Sequence, residues 1–385
     1  MNLYMPLVNY AKVGAIWLAD TINKCYDPFT EYTDTPLTQD LHSLEALFAA
    51  DLEARFMKPS GEFYYQIPRP SDAGDTALFQ GLCTAMKIMK GDKVDTQIAF
   101  INTLFVNGAL IRGYRDDGTP NDTTSNDSAT GMLFFFYCAL RFGDMDTRNK
   151  ASALIRVWAN NLRAHNWALV DLKGNPTLYG QLENGILTDP LRMTCLLGIL
   201  AVAAHYDQSF LQDYTDLYKK YRPILAYPKV KLLWWDTSYD THRAAIHLHV
   251  LYALTHDPIY KAGLQRIWRI THKENNAWVY TLCSEALDTV DGPLIWRILG
   301  TYDFERRQLG NVESLNDDQP SVMWGGTKRC TYALPFYKRG SQEFFWQRHP
   351  FSLDEWVGNK TAGCYHSGLD ILICGWLASR LGITQ

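Results

Sequence analysis

The sequence predicts an all-α fold in which helical hairpins close into a ring, and three observations predict it. An Asp-framed segment recurs along the chain, fully apolar segments alternate with amphipathic ones, and the linkers at one end of the hairpins are far longer than those at the other.

The frame first occurs in "GDTALFQGLCTAMKIMKGD", Gly74 to Asp92, and again in "NDSATGMLFFFYCALRFGD", Asn126 to Asp144. In both, an Asp precedes a small residue and Ala, an apolar stretch follows, and Gly-Asp closes the frame 17 positions after the first Asp. "DPLRMTCLLGILAVAAHYD" (Asp189 to Asp207) has one extra residue, and "DTHRAAIHLHVLYALTHD" (Asp240 to Asp257) returns to the spacing of 17. The starts at 75, 127, 189 and 240 are separated by 52, 62 and 51 residues. A period near fifty marks a repeat architecture.

The framed segments are apolar on nearly every face, as in "CLLGILAVAA", so they predict helices buried all round. Between them, Ala151, Leu154, Ile155, Trp158 and Leu162 fall on one helical face, as do Phe210, Leu211, Tyr214, Leu217, Tyr218 and Tyr221. A buried and a half-buried helix in alternation give an inner circle and an outer circle with one wet face. Inner helices are expected to start near 75, 127, 189, 240, about 291 ("DGPLIWRILGTYD") and about 366, the last in "HSGLDILICGWLASRLG". A helix is also expected in "MNLYMPLVNYAKVGAIWLADT", which has no charged n-region and no cleavage site of a signal peptide, and another near Asp40. The whole chain reads as one domain, 1–385, with a long irregular insertion at about 304–365.

Capping gives the frame a structural meaning. Asp189-Pro190 and Asp257-Pro258 place an N-cap acceptor before a proline at the first helical position, and the other framing Asp residues are expected to cap in the same way. After each inner helix the turn is tight ("KGD", "FGD", "HYD", "THD"). Before each, the linker is long: 113–126, 166–188 and 223–239. In a ring of parallel inner helices all long linkers decorate one end, which also collects the positive ends of the helix dipoles.

Composition narrows the partners. Hydrophobic residues make up 47% and charged residues 20% of 385, enough for a large core, and a net charge of −4 offers nucleic acid no general attraction. No uncharged apolar run reaches the length of a membrane span. The eight scattered cysteines read as reduced and mostly buried. The expected setting is cytoplasmic, or a phage virion.

On these grounds the chain resembles the (α/α)6-toroid carbohydrate-active enzymes: the unsaturated glucuronyl hydrolases, related glycoside hydrolases and the toroid polysaccharide lyases. The resemblance is carried by the repeat and by an Asp at the start of successive inner helices (Asp75, Asp127). It implies a sugar in the funnel at the long-linker end, aromatic walls and carboxylate chemistry, without a cofactor. The expected activity is hydrolysis of a glycosidic bond in an oligo- or polysaccharide, uronic acid being one candidate constituent. The alternatives are a lyase of the same fold and a noncatalytic saccharide-binding or virion protein.

Two carboxyls in different environments can protonate a glycosidic oxygen and orient water, and neighbouring helix starts supply them. Asp127 is expected to be the acid ahead of Asp75, because "NDTTSND" can reach into a funnel; simple capping is the competing role for both. The densest chemistry is "WWDTSYDTHRAAIHLH". His242 could act as a base and Arg243 could hold a carboxylate. His247 and His249 read as hydrogen-bonded core residues, and as neighbours at i and i+2 they cannot share a zinc ion. Trp235, Tyr239, Trp324, Tyr179, His366 and Asp117 complete the expected substrate contacts. Asp116 and Asp122 rival Asp127, or shape turns. Cys330, Cys364 and His366 lack the Gly-rich surroundings of a toroidal zinc site, so no metal is expected.

Overall fold

A computed structural model describes residues 10–15, 17–19, 21, 40–185, 188–228, 238–302, 304, 308–309, 321–324, 327–331, 333 and 364–384. Residues 10–15 and 17–19 are helical. The first fully described helix is α1 (Leu41–Asp51), followed by α2 (Thr76–Lys90), α3 (Asp95–Thr103), α4 (Asn126–Phe142), α5 (Met145–Ala164) and α6 (Pro190–Tyr206). Then come α7 (Leu211–Tyr221), α8 (Ser238–Thr255), α9 (Pro258–Thr271), α10 (Ala277–Ser284), α11 (Gly292–Leu299) and α12 (Leu369–Arg380). The described residues are thus mostly helical, with short strands confined to linkers.

Even-numbered helices are the buried ones. Every residue of Thr76–Met89, Ser128–Ala139, Met193–Ala204 and Ala277–Cys283 is buried. Odd-numbered helices bury one face: α5 buries Ala151, Leu154, Ile155, Trp158 and Leu162, as its periodicity demands. Around the inside, α2 packs on α4, α4 on α6, α6 on α8, α8 on α10, α10 on α12, and α12 returns to α2. A single large apolar cluster runs through all twelve.

Two starts differ from expectation. The fifth inner helix is α10, which begins at Ala277, and the stretch beginning at 291 is the outer helix α11. Its exposed Arg297 lies opposite the buried Ile295, Trp296, Ile298 and Leu299. The frame failed there because Asn276, rather than Asp, caps α10, accepting from Val279 N at 3.2 Å. The sixth inner helix begins at Leu369, so His366 belongs to the strand before it, paired with Gln66.

Tight turns close the other end. Gly91, at φ 90°, ends α2 with its N–H on Lys87 O, a left-handed position that favours glycine. Asp144, Asp207 and Asp257 accept from Thr147 N (2.8 Å), Ser209 N (3.0 Å) and Ile259 N (2.9 Å), so three of the closing Asp residues do cap. The linkers before the inner helices form small hairpins, among them Gly113–Tyr114 with Pro120–Asn121 and Ala168–Val170 with Pro176–Gln181.

Contacts between α4 and α8 set their direction. Asp127, Thr130 and Tyr137 meet Arg243, His247 and His249 in that order, so the two helices run parallel. Helices α2 and α4 touch backbone to backbone at their sixth residues, Gly81 and Gly131. A Cβ at either position would lie under 3.0 Å from main-chain atoms of the other helix. Rigid main chain cannot yield as a side chain tip can, so Gly131→Ala should lower stability by about 1–3 kcal/mol in chemical denaturation. Gly382→Ala, with nothing within 4 Å of the added Cβ, is the comparison expected to cost about 1 kcal/mol or less, through its φ of 73° alone.

Candidate functional site

The first turns of α2, α4 and α8 bring three framing Asp residues to one end of the bundle, and none of the three caps its helix. Asp75 precedes α2 with φ −105° and ψ 38°, and its side chain makes no capping bond. The first free N–H of that helix, Ala77 N, is taken instead by Arg112 O at 2.9 Å. The carboxyl is therefore free to face the Arg112 guanidinium, with Asp75 Oδ1 3.6 Å from Nη2. Helix α4 starts one residue earlier than expected, which places Asp127 inside its first turn. Asp240 is the third residue of α8 and pairs with Arg243, one turn on. Asp189 is the contrasting case: it caps α6 through Leu191 N at 2.9 Å.

Arg243 joins two of these carboxylates. Its Nη1 lies 2.6 Å from Asp127 Oδ1 and its Nη2 contacts Asp240 Oδ1, with the side chain only 14% exposed. A guanidinium fork can serve two carboxylates at once, which a lysine ammonium does with less directionality. Below it, one turn further along α8, the buried His247 is held by Thr130 of α4 (Nε2, 2.8 Å) and Thr194 of α6 (Nδ1, 3.3 Å). Burial, and secondarily the Arg243 charge, push this imidazole down to about 3, so it is neutral and structural. His249 is likewise a core residue, bonded to Tyr137 OH and Leu282 O.

Asp75 has the most informative electrostatics. Burial pushes its carboxyl up to about 6, against the pull of Arg112 and Arg243 and with the repulsion of Asp127 and Asp72. A carboxyl shifted in this direction can hold its proton near neutrality.

Polar side chains left without partners concentrate nearby. Thr124 Oγ1, Ser125 Oγ, Asn126 Oδ1, Ser128 Oγ and Thr241 Oγ1 are buried and have no hydrogen-bond partner among the described residues. Each such group costs on the order of 1–3 kcal/mol, which water or a bound hydroxyl would relieve.

The remaining expected site residues divide. His242 is buried, and Asn276 Nδ2 donates to its Nε2 at 2.7 Å while Asn276 Oδ1 holds Val279 N. That bond occupies the lone pair a base would need, so His242 serves here as a link between α8 and α10. Asp117 is exposed and shapes a hairpin tip, accepting from Thr119 N (2.9 Å) and Oγ1 (2.6 Å). These bonds hold its carboxyl below the usual range. Asp116 pairs with Arg69 at 3.1 Å, and Asp122 accepts from Leu172 N at 3.3 Å. Tyr179 is 55% exposed on a hairpin tied by Thr177 Oγ1 to Thr124 O, just before α4. His366 is buried on its strand, while Asp370 accepts from Tyr302 OH at 2.7 Å. Tyr239 lies in the first turn of α8; Trp235 falls outside the described residues, as does the side chain of Trp324.

Arg112, Asp240 and Asn276 were not singled out from the sequence. A usable signal was present: Asp189 and Asp257, which cap, are each followed by proline, whereas Asp75, Asp127 and Asp240 are followed by Thr or Ser. Among the described residues no group of three metal-ligating side chains gathers, and no helix is long and apolar enough to cross a membrane. Comparison with protein-family models and with curated proteins finds no match to this chain.

Asp75 provides a test that needs no substrate. Because its pKa is raised on folding, the native state binds the proton more tightly than the unfolded chain. Stability is therefore lost as pH rises from about 4 to about 6, by about 3 kcal/mol for a shift of about two units. Asp75→Asn imitates the neutral acid, so the variant should match the wild type near pH 4 and exceed it by about 2–3 kcal/mol above pH 6.5. Paired urea titrations across that range read the difference.

Proposed function

We propose that the chain is an (α/α)6 toroid and a glycoside hydrolase acting on an oligo- or polysaccharide, with Asp75 as proton donor and Asp127 as the carboxylate that orients water. The toroid reading is supported by the closed order of neighbours, in which six buried helices pack each on the next and the last on the first. The catalytic reading rests on one observation above the others. A desolvated carboxyl raised to about 6 and an ion-paired carboxylate, each sensing the other's charge, stand at the starts of adjacent inner helices.

The two environments assign the roles, and they favour the reverse of the order expected from the polar run before Asp127. Glycosidic cleavage needs one carboxyl protonated and one ionised in the same pH range. Burial favours the proton on Asp75. Asp127 lies against the Arg243 guanidinium in the first turn of α4, where a cation and the helix N-terminus both face it. In this scheme Asp75 gives its proton to the leaving oxygen as the bond to the anomeric carbon lengthens. Asp127 takes a proton from the water that attacks that carbon. Unpartnered hydroxyls and the Asn126 carboxamide match a substrate rich in hydroxyls, which donate and accept alike.

The test is turnover of a panel of defined neutral and uronate-containing oligosaccharides, followed by mass spectrometry and by ultraviolet absorbance. Addition of water supports hydrolysis; an unsaturated product would transfer the reading to a lyase, and binding without turnover to a saccharide-binding protein. On a turned-over substrate, Asp75→Asn and Asp127→Asn should each lower kcat by about a hundredfold or more while remaining folded. The wild-type rate should fall as pH rises through about 6, where Asp75 loses its proton. Full activity in Asp75→Asn would remove it from the acid role.

A further inference from the structure

Helix α8 contributes a third carboxylate to the site, and its i,i+3 partner Arg243 also reaches Asp127 on another helix. Asp240 lies inside the helix, three residues before Arg243, and is partly buried at 21% side-chain exposure. It contacts the same guanidinium that holds Asp127, so one cation is divided between a carboxylate of α4 and one of α8. We propose that Asp240 is a positioning residue for the acid–base pair, holding one end of the Arg243 guanidinium and withholding part of its charge from Asp127.

The geometry gives this arrangement a direction. A guanidinium presenting both terminal nitrogens to Asp127 would form the bidentate pair that arginine and carboxylate favour, tying up both oxygens. Here Nη2 contacts Asp240 while Nη1 lies 2.6 Å from Asp127 Oδ1, so the two carboxylates divide the terminal nitrogens between them. His247 sits one turn below, anchored to α4 and α6, which limits how far Arg243 can move along the axis. The charges facing Asp75 come from each surrounding element: Asp72 from the turn before α2, Arg112 from the linker after α3, Asp127 from α4 and Arg243 from α8. Asp240 influences Asp75 through Arg243 and Asp127. Removing it allows Arg243 to neutralise Asp127 more completely, and Asp75 then releases its proton more readily. Removing Arg243 has the opposite effect, since Asp127 loses its cation and repels a second negative charge more strongly.

This inference rests on the acid–base reading of Asp75 and Asp127, but its test does not depend on finding a substrate. Full-length protein labelled with ¹³C at the aspartate carboxyls is titrated by NMR, with Asp75 assigned by its loss in Asp75→Asn. Asp240→Asn should move the Asp75 midpoint down by about half a pH unit, and Arg243→Gln should move it up by about one. Circular dichroism establishes that both variants are folded. If Asp240→Asn does not fold, Asp240→Ser takes its place, and a downward shift is again required. Opposite displacements support the proposal, because loss of packing alone would not produce a pair of opposite sign. A midpoint unchanged in the Asp240 variant, or displaced the same way in both, overturns it. Failure of every oligosaccharide in the panel would refute the hydrolase reading while leaving the titration interpretable.

Discussion

The close approach of α2 and α4 is the constraint from which the site follows. Two glycines at equal depth in parallel helices let the backbones meet without side chains between them, and Leu78 O and Gly131 O lie where a Cβ would otherwise be. At ordinary interhelical distances of about 8–10 Å the first turns would stand further apart. With the glycines in place, Asp75 and Asp127 come near enough for each to sense the other's charge. A packing detail one and a half turns below the cleft thereby sets its electrostatics.

Parallel α2, α4 and α8 make such crowding costly, because each first turn delivers polar groups to the same end. The chain offsets this with two cations from different elements, Arg112 from a linker and Arg243 from α8. Their distribution is uneven. Arg243 contacts Asp127 directly, while Arg112 stands 3.6 Å from Asp75 and does not overcome the cost of burial there. Two chemically identical side chains thus stand in different surroundings, one desolvated with its proton affinity raised and the other against a guanidinium.

Much of the fold was legible because it rests on periodicity and local capping. Apolar runs marked α2, α4, α6 and α8, single-face patterns marked α5 and α7, and Asp-Pro marked two true caps. Short α10 escaped, since eight residues bounded by Asn276 have neither the length nor the frame of the others. At the candidate site, the placement of Asp75, Asp127 and Arg243 at helix starts was legible from the frame. Their different environments were not, because they depend on Arg112 O taking the N–H of Ala77, a contact between residues 35 positions apart. The bond of His242 was hidden for the same reason: its partner Asn276 is 34 residues away, and nothing local distinguishes a bonded histidine from an available one.

A helical assembly with so apolar an interior has little to stop one helix sliding or rotating against the next, since dispersion contacts among Leu, Ile and Ala are tolerant of register. Polar bonds between the helices remove that freedom. Thr130, Thr194 and His247 tie α4, α6 and α8 together near their starts, and Tyr137, His249, Arg141 and Glu285 join α4, α8 and the end of α10 further along. Each bond is satisfied only in one alignment, and a buried polar group left unmatched costs more than the bond contributes. Helix α8 is thus pinned at two levels against α4. Arg243 lies on the cleft side of both pins, so the alignment that satisfies the two histidines also holds its guanidinium between Asp127 and Asp240.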